Sequence, residues 1–311
     1  MNRLTHRLST ALVCAGLCLA ALPARALTLE FDYGYDTRGF FTDLATGAPI
    51  QERRDLLELA ASFYSGFTDQ LAAIAPQAGD SWQVTITHPS LGGRPITLSN
   101  VEIAADTLRI YAGGSVSAPG VLGFANTGSN LVASGSAQFV EAVTTRGQGA
   151  TSGPAATDYA TWGGMIWFNA ANDWSFAADA SALRAGRPDF LTTATHEIGH
   201  ILGFGEADSW LAQIVDGHFT GAASTALYGS AVPVDRFGSH WAEGVASLVD
   251  GVAQETLMDP STSRGLRELP TALDYAGFAD IGWQVSAVPE PAAWWLLAAG
   301  LPVLAAARRH A

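Results

Sequence analysis

The chain contains no lysine, and its only two cysteines are Cys14 and Cys18. Every basic side chain apart from histidine is an arginine, 16 against 29 acids, for a formal net charge of −13. Such an acidic chain repels phosphate backbones, so nucleic acid is a poor partner. Both cysteines fall in a segment that reads as a secretory leader, Met1 to Ala26. Arg3 and Arg7 provide its positive start, Leu8 to Leu22 its apolar run, and Ala24-Arg25-Ala26 an A-x-A cleavage site. Removing that segment takes away Arg3, Arg7 and Arg25 and moves the net charge from −13 to −16. The mature chain would then enter an oxidising compartment without any disulfide. No internal repeat, coiled-coil heptad or EF-hand motif is present. Acidic and Gly/Asn-rich loops leave room for calcium, though no EF-hand or repeat motif supports it.

About 250 residues remain for folding, enough for one large core or two lobes around a cleft. Alternation predicts strands at 27–33, 81–87 and 107–111, and VLGFA at 121–125 and the aromatic-bearing GGMIWFN at 163–169 read as further strands. The strand at 107–111 is expected to stop at Gly113-Gly114. Apolar residues at helical spacing, from Leu56 to Leu71, predict a long amphipathic helix over 51–74. The Ser-, Ala-, Gly- and Thr-rich stretch 129–159 reads as a surface loop. A helix is expected over 188–202, opened by Pro188 and Asp189 and stopped by Gly203, and a last short one over 270–281.

The helix at 188–202 carries His196-Glu197-Ile198-Gly199-His200. Residues four apart share a helix face, so two imidazoles can meet one metal ion while Glu197 lies beside it. In that pattern zinc makes water a nucleophile near neutral pH, and the glutamate acts as general base. Gly203 extends the motif to H-E-x-x-H-x-x-G, and Leu257-Met258-Asp259-Pro260 follows downstream. Together these resemble the zinc helix and Met-turn of metzincin metallopeptidases. Gly164-Met165-Ile166-Trp167-Phe168-Asn169, with Trp174 after it, is similar to the strand before the active helix in matrixin-like members.

The resemblance implies an α+β zincin fold over residues 27–285. A twisted mixed β-sheet with long helices would form an upper lobe, about 27–203. An irregular lower lobe, about 204–285, would hold the Met-turn and a C-terminal helix. Met258 would lie beneath the metal without binding it. The implied activity is secreted zinc-dependent hydrolysis of peptide bonds in proteins or peptides, with Glu197 as base.

Three candidates compete for the third zinc ligand. Glu206 stands three residues after the glycine, where most metzincins place theirs, and His218 lies further along. The pair His240-Trp241, eighteen residues before Met258, resembles leishmanolysin-type members, in which an insertion precedes the third histidine. A second reading is a non-catalytic matrix or surface protein keeping a metzincin shell for binding. The presence of Glu197 argues for catalysis.

The end of the chain runs Val288-Pro289-Glu290-Pro291, an apolar stretch to Ala307, and then Arg308-Arg309. This order resembles the PEP-CTERM sorting signal of Gram-negative bacteria, which an exosortase recognises at export. It implies residues 286–311 as a sorting and anchor segment. The body would be exported to the cell surface or beyond, touching the inner membrane only transiently through this tail.

Overall fold

The computed structural model describes residues 26–286. The expected leader and sorting segment lie outside the described residues, apart from their boundary residues Ala26 and Ser286. Among the described residues no helix is long and apolar enough to cross a membrane.

In order, the elements begin with β1 (Thr28–Asp32), α1 (Gln51–Ser62), β2 (Ser81–Thr87), β3 (Pro95–Ser99), β4 (Thr107–Ser115), β5 (Gly123–Asn126) and β6 (Ser129–Ser134). Then come α2 (Ala137–Thr144), β7 (Gly163–Asn169), a short 3₁₀ turn (Ala180–Ala182), α3 (Phe190–Ile201) and α4 (Asp208–Leu211). The remainder is β8 (Ile214–Val215), β9 (His218–Phe219), α5 (Ala222–Tyr228), β10 (Val232–Pro233), β11 (Ala246–Val249), β12 (Val252–Glu255) and α6 (Ala272–Asp280). The described residues therefore form a mixed α+β structure with six α-helices and several sheets.

The main sheet has the order β1-β4-β7-β5. β1, β4 and β7 run parallel, and β5 pairs antiparallel with β7 at the edge. Strand alternation sends side chains to two cores. Leu108, Ile110 and Ala112 of β4, with Ile166 and Phe168 of β7, face a large core that includes α1 and α3. Tyr111 and Met165 face a smaller core with Trp82, Val84 and Ile86 of β2 and Phe139 and Val143 of α2. A second sheet, β3-β2-β6, covers that side. Among the described residues after α3 the elements are short: the β10-β9-β8 ribbon, the β11-β12 hairpin and helices α4, α5 and α6.

Three expectations are corrected. The helix expected over 51–74 ends at Ser62, because Gly66 follows and the later apolar residues are used in tertiary pairing. Phe67 bridges Val285, its carbonyl accepts from the Leu27 amide, and Ile74 bridges Ile103. β4 does not stop at Gly113-Gly114 but runs to Ser115. Gly114 is needed there because a side chain would collide with the Phe40 ring. The supposed loop 129–159 contains β6 and α2, the latter capped by Ser136, whose Oγ accepts from the Phe139 amide.

Candidate metal centre

Helix α3 is buried along all twelve residues. Asp189 caps its N-terminus, accepting from the Thr192 amide at 3.3 Å, so Pro188 lies just before the helix. The same carboxylate receives both arms of Arg267, at 2.8 and 2.9 Å, and both side chains are nearly sealed from water. Arg267 also donates to the carbonyls of Ala177 and Ala178. This clamp fixes the start of the helix to the segment beyond the Met258 turn. At the other end Gly203 adopts φ +94°, and a side chain there would strike the Tyr159 ring.

One turn apart, His196 and His200 aim at the same point. The Nδ1 of His196 lies 2.8 Å from the Leu257 carbonyl, and that of His200 lies 2.9 Å from the Phe204 carbonyl. A carbonyl only accepts, so each Nδ1 is the protonated nitrogen and each Nε2 keeps its lone pair. His240 arrives from the loop after β10. The Nε2 of His200 is 3.1 Å from those of both His196 and His240. Lone pairs this close repel unless a cation stands among them. Tetrahedral zinc at about 2.0–2.1 Å from each nitrogen sets N–N edges of about 3.3–3.4 Å, close to this spacing. Burial pushes all three rings below the ordinary histidine range, and neighbouring imidazoles add to this for His196 and His200, the latter falling to about 4. The three are therefore neutral at pH 7, as metal ligands must be.

The site is held from behind by hydrogen bonds. Asp235 orders the third histidine: its Oδ1 accepts from the amides of Ser239 and His240, and its Oδ2 lies 3.6 Å from the His240 Nδ1. The Trp241 amide donates to the Met258 carbonyl at 2.9 Å. Met258 is fully buried, and its Sδ would sit 2.6 Å from a Cβ added at Gly199, between the two helix histidines. Asp274, fully buried at the start of α6, accepts from the amides of Leu257, Met258 and Thr271, the Thr271 hydroxyl and the Trp241 indole. One carboxylate thus joins the Met258 turn, the His240-Trp241 loop and the last helix.

A cleft of about 520 Å³ opens over the histidines. Residues Gly120 to Ala125, including the start of edge strand β5, form one wall, and Asp259 to Thr262 with Arg264 form another. Glu197 lies in the cleft with its carboxyl against Gly123, where an added Cβ would be 2.7 Å from Oε1. Burial, and secondly the charge of Glu206, raise that carboxyl to about 8. Glu206 lines the same cleft, raised to about 7 by desolvation, but its carboxylate is not grouped with the three imidazoles. His218 is exposed on β9 and also stands apart, its Nδ1 near the Asp216 carbonyl. His88 is buried, its Nδ1 accepting from the Ser90 amide.

Sequence reading missed Asp235, Asp274, Gly123 and the Asp189–Arg267 clamp as parts of the site. Asp274 had a visible cue, since Thr271 three residues earlier makes it a capping-box acid. Its second role depends on folding against a loop 33 residues away. The His196, His200 and His240 group can hold a metal ion, and zinc fits its three nitrogen donors and their spacing. No family model matches the chain, and no curated protein matches it either.

Proposed function

We propose that the chain is a zinc-dependent endopeptidase of metzincin type, exported from the cell. The observation that carries this reading is the meeting of three neutral imidazoles beside a buried glutamate in an open cleft. The buried Met258 under Gly199 and the short-element region after α3 support the metzincin assignment.

His196, His200 and His240 would hold the ion through Nε2, each ring oriented by its other nitrogen or by Asp235. Zinc, when bound, supplies Lewis acidity, polarising a substrate carbonyl and making water nucleophilic at neutral pH. Glu197 takes the proton from the attacking water on a carboxylate oxygen and delivers it to the departing amine nitrogen. A carboxyl raised towards neutrality by burial suits both transfers. β5 is the end strand of its sheet, so its outer edge offers backbone groups to an extended peptide. Such a peptide would lie along the wall that Glu197 touches through Gly123.

The leader and tail readings add export by a signal peptide and exosortase-type sorting to the proposal. Digestion of casein by the purified zinc-loaded chain, with Glu197→Ala beside it, tests the activity. The expected outcome is cleavage by the wild type and loss of at least about 100-fold in the variant, in keeping with the contribution of a general base. Cleavage that survives the substitution refutes Glu197 as the base. Absence of cleavage in both, with zinc bound, favours a binding role for the same shell.

A further inference from the structure

Three acids gather beyond the Met258 turn, outside the histidine group. Glu243 follows the His240-Trp241 pair, Glu255 ends β12, and Asp259 follows Met258. Their carboxylate oxygens lie within 4.8 Å of one another. We propose that Glu243, Glu255 and Asp259 bind a hard divalent cation, calcium by preference, at a second site independent of the three histidines.

The main support is Asp259. It is 1 % exposed, and its Oδ2 is sealed from water with no hydrogen-bond donor in reach. What faces it is the carboxyl of Glu255, with which it can form a hydrogen bond only if one of the two acids keeps a proton. A buried carboxylate oxygen left this way is costly unless a proton or a cation meets it. Among the described residues no arginine or histidine pairs with any of the three acids. Glu268, also buried and with an unpartnered Oε2, adds negative charge nearby. Burial first, and then Glu255, Glu268 and Glu243, hold Asp259 up at about 9, so without a cation it keeps its proton.

Several other oxygens of the cluster already have donors. The Ser261 hydroxyl donates to both oxygens of Glu243, at 2.9 and 3.0 Å, and the Gly244 amide donates to Glu255. The Ser261 amide donates to the Oδ1 of Asp259 at 3.3 Å. Three carboxylates are thus held in place and one buried oxygen is free. Oxygen-only donors favour calcium over zinc, and calcium tolerates irregular geometry with water completing the shell. Glu243 is exposed and gives the ion a way in. A bound ion would tie the His240 loop, the β12 strand and the Met258 turn to one another.

The test is thermal unfolding of the chelator-stripped full chain as CaCl₂ rises to about 10 mM, a level that saturates sites of extracellular type. Wild type, His200→Ala, Glu243→Gln and Asp259→Asn are compared. The proposal expects Tm to rise by about 3–10 °C in the wild type, given a millimolar or tighter site and a chain of this size. The same rise is expected in His200→Ala, which cannot assemble the histidine site. Glu243→Gln alters only an exposed side chain and folds, and its rise should fall below about 1 °C, as should that of Asp259→Asn. No rise in the wild type overturns the proposal and leaves a shared proton between Asp259 and Glu255. A full rise in Glu243→Gln overturns it equally.

Discussion

Replacing Asp274 probes how the site is held together. Its Oδ2 accepts from the Leu257 amide at 3.0 Å, the Thr271 amide at 2.7 Å and the Thr271 hydroxyl at 2.8 Å. Its Oδ1 accepts from the Trp241 indole at 3.1 Å and the Met258 amide at 3.2 Å. Asp274→Ala strands five buried donors, and at about 1 kcal/mol each the loss is about 5 kcal/mol. Burial raises the Asp274 carboxyl despite these donors, so removing it also relieves a desolvation cost. The net expectation is a loss of about 3 kcal/mol or more, a large part of the 5–15 kcal/mol typical of a domain. Asp274→Asn keeps the shape but turns an amide nitrogen towards at least two donors, for an expected loss of about 2 kcal/mol. Urea unfolding of the metal-free chain measures both. Trp241→Phe added to each background should cost about 1 kcal/mol in the wild type and much less beside Asp274→Ala. A loss below about 1 kcal/mol for Asp274→Ala would refute the idea that this carboxylate joins the three segments.

Gly123→Ala places a methyl against the Glu197 carboxyl, so the proposed peptide hydrolysis should fall by about 10- to 100-fold with no loss of metal from the histidine group; unchanged rates in a steady-state assay would count against the close approach. Arg267→Ala leaves the buried Asp189 unpaired, and denaturant unfolding should show a loss of about 3 kcal/mol, with a loss under 1 kcal/mol contradicting the clamp. Burial raises Asp259 to about 9 and Glu268 to about 7, against about 4 in the unfolded chain. Between those values these two acids hold more protons in the folded state than in the unfolded one. Above about pH 7, where the unfolded chain's histidines are also neutral, stability without divalent cations should therefore fall as pH rises to about 8.5, and Asp259→Asn should flatten the slope. A rise over that interval, measured by urea midpoints, would contradict this.

The parts of the structure that were legible in the sequence are those set by local spacing. β2 has the predicted bounds because its alternation is unbroken with one buried face, and β7 because its apolar, aromatic run is buried almost throughout. α3 was legible because its cap, its glycine stop and its histidine spacing agree. The 51–74 stretch misled because Phe63, Phe67 and Leu71 keep helical spacing while packing from a turn. β6 was missed because SNLVAS is exposed and pairs with a single neighbour, which leaves no alternation to read. α2 shows only Ser136, Phe139 and Val143 as signals, in a composition typical of loops. The third imidazole could be weighed from the His240-Trp241 pair, but the choice over Glu206 depends on a loop folding back 40 residues later. Asp235 and Gly123 matter only through contacts that no local pattern announces.

The most direct test is the zinc content of the purified chain, wild type beside His240→Ala and Glu197→Ala. The account predicts one zinc per chain in the wild type and in Glu197→Ala, and almost none in a His240→Ala chain that is still folded by circular dichroism. Zinc retained in His240→Ala, or a folded wild type that binds none, would contradict the three-histidine centre.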